Sequence, residues 1–206
     1  MGSSQQQAHL HSGIEKVLRR AECLVLNSVN LRTWRSGDRF SPTLSTNTLI
    51  SSLVLSRLDY CNALLAGSPQ VLLDTIQGVV NCSARLIFKV PKSAHITPFL
   101  HDLHWLPISS RIQYKIALIC VHIVSGTAPP HLSELLHHYS PSCSLCTAAD
   151  TSVFHVPGMG RRTLGERSFQ YIGPVLWNSL PISLRHSSSL SSFKSKLKTH
   201  LFSSAN

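Results

Sequence analysis

Acidic residues are scarce in this sequence. Nine Asp and Glu stand against nineteen Lys and Arg, and no two of the nine acids are adjacent. Enzymes that use two metal ions to displace a leaving group in line hold those ions between neighbouring carboxylates. None of the acids lies in an alternating strand pattern next to a turn. We therefore predict that the chain has no two-metal catalytic site and is not an enzyme.

Other catalytic and targeting motifs are also missing. There is no Gly-x-x-x-x-Gly-Lys or Gly-x-Gly-x-x-Gly phosphate loop, and none of the twelve His stands in a recognised nucleophile context. The longest apolar runs, such as 116–124, are about nine residues, too short to cross a bilayer. Residues 1–12 are polar, and no early apolar core follows them. We expect an intracellular protein of the nucleus or cytoplasm, not secreted, with no cofactor and no membrane partner.

The six cysteines do not form a disulfide framework. Cys61, Cys82 and Cys120 fall inside apolar helical patterns, where a free Cys behaves as a small hydrophobic residue. We therefore expect these three thiols to be buried. A reducing compartment fits this cysteine usage.

Cys143 and Cys146 form one isolated Cys-x-x-Cys pair, with His137, His138 and His155 nearby in the sequence. A structural zinc site needs four spaced ligands, usually supplied by two such pairs. We therefore predict no metal site. If a metal were bound, Cys143 and Cys146 would be the candidate ligands.

A strong positive charge is what the sequence does have. The formal net charge is +10 with the His neutral, and such a balance favours a polyanionic partner through phosphate contacts. Hydrophobic residues make up 43% of the chain, enough for a core. We therefore expect a folded protein that binds RNA or DNA without sequence preference. Its oligomeric state is not predicted.

Helical periodicity dominates the chain and predicts a mainly α fold, a helical bundle-like domain with an irregular Pro/Gly-containing stretch at about 140–167. A brief extended piece is expected near 153–156. Four regions are expected: a poorly ordered 1–40, a helical 41–139, an irregular basic linker 140–167 and a C-terminal helical tail 168–206. The helices are predicted over 43–66, 71–88, 96–105, 108–125, 130–139, 168–180 and 190–202.

Several side chains are predicted to face the core. Trp105 and Trp177 are interpreted as core anchors rather than base-stacking platforms. In the first long helix the inward positions are expected at Leu49, Leu53, Leu58, Cys61 and Leu65.

The last predicted helix combines an apolar face with lysines. Leu190, Phe193, Leu197 and Leu201 recur at spacings of three, four and four residues, which places them on one side of an α-helix. Ser187–Ser189 is expected to cap it. Lys194 and Lys198 share one flank, and Lys196 lies elsewhere. These lysines are either simply solvated or contact phosphates, and the two interpretations are compatible.

Eight segments, spread over about three quarters of the chain, carry a family resemblance. They are 56–67 (SRLDYCNALLAG), 84–87 (ARLI), 95–98 (HITP), 103–108 (LHWLPI), 111–115 (RIQYK), 126–132 (GTAPPHL), 161–181 (RRTLGERSF followed by GPVLWNSLP) and 193–202 (FKSKLKTHLF). Together they resemble the C-terminal region of the reverse transcriptase, an RNA-directed DNA polymerase, of non-LTR retrotransposons, the LINE-type elements of the jockey and chicken-repeat clades.

The resemblance implies an accessory role. In that family the region follows the polymerase palm and forms the thumb and C-terminal extension, a helical part that helps to hold template RNA and target DNA. The chain is accordingly expected to be a non-catalytic fragment that contacts nucleic acid. The expected contact residues are Arg161, Arg162, Arg167, Lys194, Lys196 and Lys198.

Two departures from the family leave alternatives open. Residues 1–40 do not match well, and Cys143 and Cys146 stand where the family usually has a basic Arg-x-x-Arg-like stretch. A decayed copy without function, or a domesticated helical module that binds a protein, therefore remains an alternative. A third possibility is a fragment that does not fold alone.

Overall fold

Helices make up most of the part of the chain that the structure describes. The computed structural model describes residues 47–60, 62–139, 152–158 and 168–204. In this described part 69% of the residues are helical and no strand occurs, which confirms the prediction of a mainly α fold. The irregular stretch predicted at 140–167 is described only over 152–158, which is not helical.

Eight α-helices occur in the described ranges. They are α1 Ser56–Tyr60, α2 Gln70–Phe88, α3 Thr97–Asp102, α4 Ile108–Val124, α5 Pro130–Ser133, α6 Phe169–Ser179, α7 Ile182–Arg185 and α8 Leu190–Ser204. A π-helical turn, Ser51–Leu55, precedes α1, and a 3₁₀ turn, Asn62–Leu65, follows it. The bounds of α2 and α4 agree with the predicted helices to within one residue.

Two of the predicted helices are shorter than expected. The helix predicted over 96–105 ends at Asp102 because His104 takes a left-handed backbone with φ 54°, which no α-helix accommodates. The helix predicted over 130–139 ends at Ser133. There the chain extends instead, and the Tyr139 N–H donates to the Val153 carbonyl at 2.9 Å. The resulting bridge between His138 and Phe154 confirms the extended piece predicted near 153–156.

Contacts divide the chain into two compact units. The first consists of Met1–Cys61 and Pro69–Ile108, and the second of Asn62–Ser68 and Ser109–Asn206. The second unit therefore contains most of α4 as well as α6, α7 and α8. The sequence-based boundary at 140 remains a prediction, because residues 140–151 lie outside the described part.

The first unit is built on α2. Its apolar stripe is buried as the periodicity predicts, at Ile76, Val79, Val80, Ala84 and Ile87. The rings of Phe88 and Phe99 lie 4.9 Å apart and join α2 to α3. Trp105 is buried, as predicted for a core anchor.

A side chain of α2 also caps the start of α4. The Gln77 Oε1 accepts a hydrogen bond from the Ile108 N–H at 2.8 Å. The first N–H groups of a helix have no partner within the helix. Gln77 therefore satisfies one of them and fixes the point at which α4 begins.

The inward face of the segment at 47–60 differs from the prediction. Leu49 and Leu53 are 57% and 52% exposed, whereas Ile50, Val54 and Leu58 are buried. The prediction for Leu49 and Leu53 is therefore wrong. Apolar residues lie on more than one side of this segment, so its periodicity did not select one face. Leu58 and Leu65 are buried as expected.

The cysteines behave differently from one another. Cys120 is fully buried, as predicted, and burial raises the pKa of its thiol to about 12. A thiol with that pKa is not a nucleophile at neutral pH, because the thiolate is the reactive form. Cys82 is exposed, so its predicted burial is wrong. It lies on α2 away from the buried stripe.

One helix meets the length and composition of a membrane span. Among the described helices only α2 does so, with a mean hydropathy of 1.3 over eighteen residues, a third of which are buried. The prediction from uninterrupted apolar runs overlooked this helix because Asp74 and Arg85 break its sequence. Core helices of soluble proteins pass the same test. The absence of a membrane partner stays a prediction.

The second unit packs three longer helices around a small cavity. The cavity has a volume of about 120 Å³ and is lined from α4, α6 and α8 by residues that include Ala117, Leu176 and Leu197. Gly126, with φ 67°, ends the turn after α4, as its position predicts.

An aromatic cluster forms the centre of the second unit. Phe154, Trp177 and Phe193 are almost fully buried. The Trp177 ring lies 6.0 Å from that of Phe154 and 5.8 Å from that of Phe193. Its indole N–H donates to the Ser152 carbonyl at 2.7 Å. Trp177 is therefore the core anchor that the sequence predicted, and it joins α6, α8 and the extended piece.

Gly173 packs against Phe169 of its own helix and against Cys120 of α4. A Cβ at this position would lie 3.3 Å from the Phe169 ring and 3.6 Å from the Cys120 Sγ. The Cys120 thiol lies 3.7 Å from the Gly173 carbonyl oxygen, to which it donates. The GPVLWNSLP part of the 161–181 run is thus a packing motif.

Asn178 ties α6 to the extended piece through both atoms of its amide. The Oδ1 accepts from the Phe154 N–H at 3.0 Å, and the Nδ2 donates to the Phe154 carbonyl at 2.8 Å. Phe154 forms a bridge with His138, and this pair of bonds satisfies the Phe154 N–H and carbonyl as a second neighbouring strand would. It keeps Phe154 in register with the cluster.

Replacement of Asn178 should destabilise the protein. We expect Asn178→Ala to lower the free energy of unfolding by about 2–3 kcal/mol, because two backbone groups of a buried residue lose their partner. Asn178→Asp should cost at least as much, since its carboxylate accepts from the Phe154 N–H but sets a second acceptor against the Phe154 carbonyl. Chemical denaturation followed by circular dichroism measures both values. Equal stability of Asn178→Ala and the wild type would contradict this role.

Candidate nucleic-acid interface

The candidate interface is the outer surface of α8. Ser189 caps the helix, since its Oγ accepts from the Ser192 N–H at 3.2 Å. Its carbonyl accepts from the Phe193 N–H at 2.9 Å. This confirms the capping loop that the sequence predicts.

One face of α8 is fixed in the core. Phe193, Leu197 and Leu201 are buried, and Leu190 is half-buried at the start of the helix. The apolar face expected from the spacing is therefore confirmed. Because this face cannot rotate into solvent, the remaining residues of α8 have fixed positions on its surface.

The three lysines lie on that remaining surface. Lys194, Lys196 and Lys198 are all exposed. At about 100° per residue, Lys194 and Lys198 are about 40° apart around the helix axis, whereas Lys196 lies about 160° from Lys198. The lysines thus occupy both flanks of the helix, with Lys194 and Lys198 on one side of the buried face and Lys196 on the other.

Lys198 has a defined neighbour. Its Nζ lies 5.9 Å from the centre of the Phe202 ring. A cation at this distance from an aromatic face is attracted by about 0.5–1 kcal/mol when exposed. The contact keeps the ammonium close to the helix surface without neutralising its charge.

Short hydroxyl side chains lie between the two flanks. Ser191, Ser195 and Thr199 follow each other at four-residue spacing and are exposed. The Thr199 hydroxyl donates to the Ser195 carbonyl at 3.1 Å, and the Ser203 hydroxyl donates to the Thr199 carbonyl at 3.1 Å. These two protons are used within the helix, so neither hydroxyl donates outward.

Negative charge is nearly absent around this helix. The second unit contains nine Lys and Arg but three acids, and no acid occurs in the sequence after Glu166. Where the structure describes this unit, Glu134 is the one carboxylate side chain. The field of the unit is therefore positive, which draws polyanions towards it.

Arg185 is basic but belongs to the packing. Its Nε donates to the Leu180 carbonyl at 3.1 Å, and an Nη donates to the Ser152 hydroxyl at 3.2 Å. The guanidinium is half-buried and joins α7 to the same segment that holds the indole of Trp177. We do not include it among the phosphate contacts.

The other predicted site residues cannot be placed. Arg161, Arg162 and Arg167 lie outside the described residues, as do Cys143 and Cys146. Their predicted roles therefore stay predictions. Three of the six predicted contact residues therefore lie in the described part of the chain, and all three are on α8.

The histidines near the Cys-x-x-Cys pair are on the surface. His137, His138 and His155 are exposed. His138 forms the bridge to Phe154, and His137 directly precedes it in the sequence. In the described part of the chain no three His, Cys, Asp or Glu side chains are placed to hold a metal ion. This does not test the candidate ligands Cys143 and Cys146.

Comparison with known proteins gives no relative. The sequence matches no family model, and no curated protein and no solved structure is significantly similar to it. The function must therefore be inferred from the residues and their geometry, together with the motif resemblance.

Proposed function

We propose that this chain is a non-catalytic nucleic-acid-binding accessory region, related to the C-terminal part of a non-LTR retrotransposon reverse transcriptase. It binds RNA or DNA without sequence preference. The contacts are the lysines of α8 together with Arg161, Arg162 and Arg167. The motif resemblance supports the origin, and the surface of α8 supports the binding.

One observation carries the binding proposal. α8 exposes three lysines while its opposite face is held in the core, and no acid occurs near it in the sequence. Lysines that only improve solubility are usually interspersed with acids of opposite charge. Unopposed lysines on a rigid helix can instead neutralise phosphates of a nucleic acid and release the counterions condensed on it.

Binding should weaken steeply as salt is added. On duplex DNA, the three lysines of α8 alone should make the association constant fall about 40-fold between 50 and 200 mM monovalent salt, and the three arginines should steepen this fall. Fluorescence anisotropy with a labelled 20-residue oligonucleotide measures this. Two unrelated oligonucleotide sequences of equal length and form should give the same affinity, because the proposed contacts are made to phosphates, which every sequence carries. No detectable binding at 50 mM salt would contradict the proposal.

A protein-interaction module is the second candidate. It is favoured by exposed apolar residues in the first unit, where Tyr60 is 84% and Val71 78% exposed. Exposed apolar side chains mark a contact surface when they form one contiguous patch. If this is the main function, the oligonucleotide affinity should be negligible at 50 mM salt, whereas mutation of Tyr60 should reduce capture of the protein partner.

The chain should not polymerise DNA. It lacks neighbouring carboxylates for two metal ions. We expect purified protein with Mg²⁺, a primed RNA template and deoxynucleotides to show no primer extension above a protein-free control. Extension that survives removal of contaminating polymerase by gel filtration would contradict this prediction.

A further inference from the structure

Resting on the proposed function, we propose that α8 takes duplex DNA of B form as its ligand and lies in the major groove. Lys194 and Lys198 contact phosphates of one strand, and Lys196 contacts phosphates of the other. The ligand is thus a double helix rather than a single strand, and DNA rather than double-stranded RNA.

The lysine positions favour a ligand with phosphates on two sides. Across the exposed surface of α8, Lys196 lies about 160° around the axis from Lys198 and about 200° from Lys194, with only about 3 Å of rise to each. A single strand along one flank would meet Lys194 and Lys198 but not Lys196. Phosphates on both walls of a groove meet all three.

The dimensions of the helix match the major groove of B-form DNA. An α-helix with its side chains is about 10–12 Å across, and this groove is about 12 Å wide. The lysines point to the sides, where the phosphates of the groove walls lie. Between them the helix presents Ser191, Ser195 and Thr199, whose exposed side chains are short. The helix can therefore approach the groove without a long side chain in the way.

Double-stranded RNA does not offer the same fit. Its A-form major groove is deep and narrow and does not admit side chains, and its minor groove is shallow. On such a surface the two flanks of α8 cannot both reach phosphates. The Thr199 hydroxyl donates to the helix backbone, so its proton is not offered to base edges in the DNA groove.

The test compares four ligands of one sequence with the full chain. A labelled 16-base-pair DNA duplex, the RNA duplex and the two single DNA strands are titrated by anisotropy at 100 mM salt. We expect the DNA duplex to bind about tenfold more tightly than any of the others. Equal affinity for single strands or for the RNA duplex would overturn the groove inference and leave the proposed function standing. Failure to bind any of the four would overturn both.

A modified duplex tests the groove itself. Glucosylated 5-hydroxymethylcytosine fills the major groove and leaves the phosphates unchanged. We expect this duplex to bind at least tenfold more weakly than the unmodified one. Unchanged affinity would show that α8 binds outside the major groove, which would overturn the inference.

Single substitutions test the two flanks separately. Lys194→Gln and Lys196→Gln should each weaken binding to the duplex about eightfold at 100 mM salt, as expected for one phosphate contact. On a single strand only one of them should matter. Lys92→Gln is the matched control, since Lys92 is exposed and lies in the first unit. An effect of Lys196→Gln no larger than that of Lys92→Gln would overturn the two-sided contact.

Discussion

We expect the Trp177→Ala variant to have no cooperatively folded second unit at 37 °C. We expect a loss of about 3–5 kcal/mol, the usual cost of truncating a buried aromatic side chain. The total stability of a domain is about 5–15 kcal/mol, so this loss is a large part of it. The reason is that Trp177 packs against Phe154 and Phe193 and donates its indole N–H to the Ser152 carbonyl.

Two control variants separate packing from other effects. Trp177→Phe keeps most of the ring contacts but leaves the Ser152 carbonyl without the indole donor, so it should cost about 1–3 kcal/mol. Val175→Ala lies on the same helix at a position that is 42% exposed, and it should change stability by less than about 0.5 kcal/mol. Guanidinium denaturation followed at 222 nm measures all three. A Trp177→Ala protein as stable as Val175→Ala would contradict the central place of this side chain.

Removal of the three lysines of α8 should nearly abolish nucleic-acid binding. We expect the triple variant Lys194→Gln, Lys196→Gln, Lys198→Gln to bind duplex DNA on the order of 100-fold more weakly at 150 mM salt, since three phosphate contacts are lost. Its helix content should be unchanged, because the three side chains are exposed and the face of Phe193 and Leu197 is untouched. Anisotropy titration and circular dichroism test the two parts of this expectation.

A second triple variant controls for net charge. Lys89→Gln, Lys92→Gln, Lys115→Gln removes the same charge from three exposed lysines that lie outside α8. Because exposed charges are screened over about 8 Å at physiological salt, this variant should bind within about threefold of the wild type. Equal losses in the two triple variants would mean that net charge, and not α8, determines the affinity.

Local periodicity was sufficient for much of the fold. The bounds of α2 and α4 follow from apolar residues that recur on one side of a helix and from Gly126 at the end. The buried face of α8 follows in the same way from Phe193, Leu197 and Leu201. In these helices the residues favour an α-helix by themselves, and the same helix also buries one apolar stripe in its unit.

Contacts between distant residues could not be predicted. Nothing near Asn178 in the sequence indicates that its amide pairs with the backbone of Phe154, twenty-four residues earlier. The exposed positions of Leu49 and Leu53 were missed because competing apolar residues surround them. In both cases the outcome depends on which surface packs against the segment, and that surface is formed by residues remote in sequence.

The candidate site could also be predicted from the sequence only in part. The exposure of the lysines of α8 followed from the buried face opposite them, so the sequence was sufficient there. In the 161–181 run, the sequence singled out basic residues and Trp177 together. The GPVLWNSLP part of that run, 173–181, serves packing, through the contact of Gly173 with Cys120, the buried Trp177 and the paired Asn178.

The most direct test of the account is the salt dependence of binding in the wild type and the α8 triple lysine variant. The logarithm of the association constant for a DNA duplex is plotted against the logarithm of the salt concentration between 50 and 300 mM. We predict that the slope of the variant is smaller in magnitude by about 2.7, or about 0.9 for each lost phosphate contact. Parallel lines for the two proteins would contradict the claim that these lysines bind the phosphate backbone.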